Sequence, residues 1–132
     1  MSNGGSYFSY LTSFLECMRE ILIGVARRGE TITYEELEAE MKRVHGSCSP
    51  HWRLGSHLGR ISHHERWQGR PLLSAVVVNR DGSVGPGFWK MVEDEMRVPV
   101  LGREQFYANT LSVVYAYWGF VTGPVQWKEG AA

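Results

Sequence analysis

HWRLGSHLGRISHHERWQGR, residues 51–70, is the stretch on which the reading of the fold turns. Taken as an α-helix, it sets Arg53, His57, Arg60 and His64 at steps of four, three and four, so that all four share one face. A further step of three brings Trp67 onto the end of that face. Leu54, Leu58 and Ile61 fall on a neighbouring face suited to a core. One helix therefore carries a core stripe beside an Arg/His stripe. Such a stripe suits phosphate, because a guanidinium offers a planar fork of donors and imidazole offers ring N–H groups. Ser49 is placed to cap this helix with Pro50 at its first position, and Gly69 and Pro71 to close it near residue 68.

Upstream, Phe8, Leu11, Leu15, Met18, Leu22 and Val25 keep helical spacing and predict an amphipathic helix over 7–28, ended by Gly29. Thr33 and Glu36 have the spacing of a capping box for a second helix from Tyr34 to about Val44, with Tyr34, Leu37, Met41 and Val44 on its inner face. Downstream, LLSAVVVN over 72–79 predicts a strand, being apolar and rich in β-branched residues. Asp81-Gly82 signals a tight turn, and 83–89 a returning strand interrupted by Gly85, Pro86 and Gly87. A short helix is expected over 90–96. A final helix is expected over 103–120, with Phe106, Leu111, Val114 and Tyr117 as buried candidates. Three helices, a β-hairpin and one or two further helices predict a mainly α domain of the α/β class, a winged helix–turn–helix-like unit with one β-hairpin.

A length of 132 residues fits a single domain, expected over 7–122 between a flexible 1–6 and a tail over 123–132. With 43% hydrophobic and 12% aromatic residues the chain reads as a folded globule and not as a disordered one. Fourteen basic residues balance fourteen acidic ones, which argues against bulk affinity for polyanions. The charge is segregated, however: residues 51–70 hold Arg53, Arg60, Arg66 and Arg70 against Glu65 alone, while Glu35, Glu36, Glu38 and Glu40 form an acidic run. Cys17 and Cys48 make no CxxC pair, so no structural zinc is expected. His63, His64 and Glu65 are adjacent, and neighbours on a helix diverge by about 100°, so they do not converge on an ion either. No metal and no cofactor is expected. The sequence shows neither a signal-peptide pattern nor a membrane-spanning run, and a cytoplasmic protein without membrane association is the expectation.

Ile32-Thr33-Tyr34-Glu35-Glu36-Leu37, followed after a helix by Ser74-Ala75-Val76-Val77-Val78-Asn79-Arg80-Asp81-Gly82, resembles the winged-helix domain of alkylguanine-DNA alkyltransferases and of the alkyltransferase-like proteins that lack the reactive cysteine. The resemblance covers about residues 30–88. It implies a DNA-contacting winged helix with Ser74 at the position of the cysteine. Ala75 and Val76 stand where the family carries its histidine and arginine, and Ser56 where it carries its base-displacing arginine. Alkyl transfer is accordingly not expected, since it requires a thiolate. The stretch LGRIS…GRPLLSAVVV…PGFW is also similar to a motif of small bacterial proteins without an assigned function.

The expected function is non-catalytic recognition of phosphate, in the first place DNA binding through the basic helix 51–68 and the 80–88 turn. The candidate residues are Arg53, His57, Arg60, His64, Trp67, Arg80, Phe88 and Trp89. Phe88 or Trp89 would stack on a base, or else anchor in the core. The alternative is a pocket that binds or sequesters a nucleotide or nucleotide-derived signal, as a phage counter-defence protein would. A second alternative is a protein-interaction module, such as a homodimer, formed by the aromatics of the last helix. Ser74 reads either as a nucleophile or as a buried hydroxyl bonded to backbone, and Gly55 and Gly59 either as close helix packing or as room for a ligand.

Overall fold

The computed structural model describes residues 11–46 and 53–119. Ser49, Pro50, residues 1–10 and the expected tail lie outside the described residues. Element order is α1 (Ser13–Arg27), β1 (Ile32–Thr33), α2 (Tyr34–His45), α3 (Leu54–Trp67), a 3-10 turn (Leu73–Val76), β2 (Val77–Val78), α4 (Pro86–Trp89), and α5 (Arg103–Trp118). Between the last two, α4 runs directly into a π-helical turn at Lys90–Glu95. The chain is thus mainly helical, with one small sheet among the described residues.

Local chemistry explains the first two helices. The Thr12 side chain accepts from the Leu15 N–H at 3.2 Å, capping α1. At α2 the capping box forms as its spacing predicts: Thr33 Oγ1 accepts from Glu36 N–H at 3.1 Å, and the Glu36 carboxylate accepts from Thr33 N–H at 2.9 Å. Gly46, with φ of 86°, ends α2 in the left-handed region. Leu15, Met18, Leu22, Leu37, Met41, Leu54, Leu58 and Ile61 then bury one shared core. Val44, expected on the inner face of α2, is instead half exposed.

The predicted strand over 72–79 and its hairpin do not form. Leu73–Val76 is a 3-10 turn packed among α1, α3 and α5, and only Val77–Val78 is extended. Its partner is not a returning strand but β1, in parallel, with Ile32 opposite Val77 and Thr33 opposite Val78. The apolar run signalled burial, and helices on three sides supply that burial without a ladder. The turn itself is present. Asn79 N–H donates to Ser83 O at 2.8 Å, Gly82 has φ of 89°, and Asp81 Oδ1 accepts from Ser83 N at 3.0 Å. Beyond it, Pro86 starts α4, because its fixed φ and missing N–H suit a first helical turn. At Gly85 an added Cβ would lie 3.2 Å from the Tyr34 hydroxyl, a tight contact that only a small shift of that side chain would relieve. In α5, Val114 is buried and Phe106 and Leu111 partly so, while Tyr117, expected inside, is exposed.

Candidate functional site

α3 is held in place by an ionic cluster. Glu65 is fully buried and its carboxylate accepts from Arg19 Nε of α1 at 2.5 Å and from Arg70 Nε at 2.7 Å. Arg70 Nη2 also points at His64 Nε2 at 3.3 Å, and an arginine can only donate, so that nitrogen accepts. Arg19 in turn lies over the Trp118 ring of α5, 5.5 Å from its centroid. Burial pushes the Glu65 carboxyl up, but the Arg19 and Arg70 hydrogen bonds outweigh it and leave it below the ordinary glutamate range. One carboxylate therefore fastens α3 to α1 and to the segment that follows it.

The Arg/His stripe divides along its length. His57 leans toward α1, its ring 5.3 Å from that of Phe14, and burial, then the Arg53 and Arg60 cations, hold it below the ordinary histidine range. It is a neutral ring at pH 7. His64 turns to the Glu65–Arg70 cluster on the same side. Arg60 and Trp67 go the other way, into an open groove of about 850 Å³ between α3 and the α4–π segment. Successive positions on a helix are about 100° apart, which puts His57 and His64 on one side of the stripe's centre line and Arg60 and Trp67 on the other. Arg53 is exposed at the start of the helix.

Ser56, His63 and Arg66 join Arg60 and Trp67 on the α3 wall, and Met91, Glu95 and Met96 line the opposite wall. His63 Nε2 donates to Glu95 Oε1 at 2.9 Å across the groove, a contact reached through the wider π-helical turn. Trp67 is 57% exposed, which makes it available for stacking. Gly55 and Gly59 form the floor, and a Cβ built on either meets nothing within 4 Å. Their role is therefore not close helix packing. Each weakens the helix by about 1 kcal/mol relative to alanine and leaves open room above bare backbone.

The remaining candidates lie elsewhere. Phe88 is buried against Trp89 and Tyr107 and has no face to offer a base. Trp89 is half-buried, with Phe106 on one side and the Arg103 guanidinium 5.0 Å from its centroid. Arg80 is exposed and 3.6 Å from Glu35 at the start of α2. Arg70 belongs to the Glu65 cluster. Ser74 is buried and accepts from Ser62 Oγ at 2.7 Å, while its own N–H donates to Ser62 Oγ at 3.1 Å. No group of three or more metal-ligating side chains occurs among the described residues. No helix among them is long and apolar enough to cross a membrane.

From the sequence His63 is weighed only as a metal ligand, and Arg66 and Glu95 are not among the candidate residues. Ser56, Arg60, His63 and Trp67 also follow steps of four, three and four, so two overlapping stripes were available on α3. Only the packing of α1 against one side decides which of them faces outward. No family model matches the chain, and no curated protein or solved structure matches it.

Proposed function

We propose that the chain is a non-catalytic nucleic-acid-binding domain that uses α3 as its recognition element, with DNA as the first ligand to test. In this reading α3 is the recognition helix, and the turn over 79–83 lies where the resemblance to the alkyltransferase-like proteins would put a wing. The observation that carries it is the α3 groove. Arg60, Arg66 and His63 stand with an exposed Trp67 over two glycines that the fold itself does not use. Arg53, Arg60 and Arg66 are spread over about 20 Å of helix, a span that suits successive phosphates better than a single one. The buried Ser62–Ser74 pair favours binding without transfer, since the Ser62 hydroxyl donates to the Ser74 hydroxyl and accepts from the Ser74 N–H, which holds both in the core.

The test is fluorescence anisotropy with short duplex and single-stranded DNA over a range of salt. Binding should weaken with salt with a slope of about −0.9 per phosphate contact, reaching about −2 to −3 for three arginines. Arg60→Ala and Arg66→Ala should each reduce that slope by about 1 and weaken all sequences alike. Salt-independent binding, or binding unaffected by both substitutions, would sink the reading. A second reading is favoured by the size of the groove, which falls within the roughly 300–1,000 Å³ of small-molecule sites. A single nucleotide or nucleotide-derived signal would then occupy it. Thermal stabilisation by a mononucleotide or cyclic dinucleotide, with no DNA binding, would select that reading.

A further inference from the structure

A second groove, of about 840 Å³, runs between α1 and α2 and shares no lining residue with the first. Cys17, Ile21, Gly24 and Val25 of α1 form its floor at steps of four, three and one, and Val44 of α2 stands half exposed at its edge. The α1 wall continues to Arg28, about three helical turns or 17 Å from Cys17. Glycine in a helix interior costs about 1 kcal/mol relative to alanine. Nothing in the fold requires it at Gly24, where a Cβ would meet only Arg28 Nη1 at an ordinary 3.5 Å. Bare backbone at that point lets another helix approach closely.

The rim is acidic. Four glutamates line the groove against Arg28 and Arg43, and both arginines are already engaged: Arg28 with Glu30 at 3.0 Å, and Arg43 with Glu40 at 2.9 Å. Glu20 and Glu36 leave the groove with a net negative charge. We propose that the α1–α2 groove docks an amphipathic helix of a partner protein, apolar on the side that enters and bearing Lys or Arg on its flanks. A second copy of the chain fits less well, because its own basic helix, α3, spends its apolar side in its own core.

The test uses the full chain and two synthetic helical peptides, one with leucine at helical spacing among lysines and one with glutamates replacing the lysines. The lysine peptide should bind at least about tenfold more tightly than its glutamate counterpart, a difference of about 1.4 kcal/mol. Gly24→Leu, which fills the floor, and Glu20→Lys, which reverses an exposed rim charge, should each weaken binding about tenfold without lowering the Tm. Amide shifts in a ¹H–¹⁵N spectrum should centre on Ile21, Gly24 and Val44. Equal affinity for both peptides, no binding of either, or binding indifferent to both variants would overturn the proposal. So would a concentration-dependent dimer abolished by Gly24→Leu, since the occupant would then be a second copy.

Discussion

Glu65 illustrates how much of α3's placement rests on one side chain. A carboxylate removed from water is costly unless paired, and here Arg19 and Arg70 pair it from two different segments. Glu65→Gln keeps the shape but removes the charge and one of the two acceptor oxygens that Arg19 and Arg70 share; urea unfolding at neutral pH should show a loss of about 3–5 kcal/mol. Because its folded-state pKa lies below the unfolded value, Glu65 adds stability above about pH 4.3 that is lost as the pH falls through the lower folded value. The Gln variant should show a shallower acid limb than the wild-type chain, the remainder coming from Glu40, Asp81 and Glu93, whose hydrogen-bond partners also hold them low. His57 has the same sign at higher pH. Its folded pKa is depressed, so the unfolded chain takes up protons first as the pH drops below about 6.5, and stability falls there. His57→Phe should flatten the dependence of Tm on pH between about 6.5 and 5. In the sequence Glu65 is one acid among four arginines, and nothing in its spacing marks it as buried rather than solvated.

At the scale of elements, the helices whose ends are set by neighbouring residues were legible. The Thr33–Glu36 box and the apolar spacing of α1 need only local chemistry. The segment over 72–79 was not legible, because a run of valines and leucines reports burial and leaves open whether a ladder or surrounding helices provide it. Of the groove's lining, Arg60 and Trp67 follow from the helical period, whereas Glu95 arrives by a π-helical turn with no clear sequence signature. The two glycines of α3 give the element its own test. Gly55→Ala and Gly59→Ala should leave the Tm unchanged or raise it, by about 0.5–1 kcal/mol of stability each. If the groove takes a ligand against bare backbone, both should also weaken its binding. Unimpaired binding in the double variant would mean that the ligand does not approach that floor.

The molecule as a whole has zero net charge and two unlike faces. Acid gathers along α2 and the α1–α2 groove, and base along the exposed side of α3. The total charge hid this arrangement, whereas the order of charges along the chain displayed it. Besides the shared core and the Arg19–Glu65 bond, the chain is tied by the short parallel pairing of β1 with β2, in which Ile32 sits opposite Val77. All of α2 and α3 lies between those partners, a loop of roughly 45 residues whose closure costs about 3 kcal/mol of chain entropy beyond a constant. Two residues of ladder cannot offset that alone, which predicts that the pairing forms after the helices have docked. Val77→Ala should therefore speed unfolding and leave the refolding rate nearly untouched in a chevron plot. On that expectation the short seam between the strands is a clasp fastened last, and its opening would set how long the native chain stays closed.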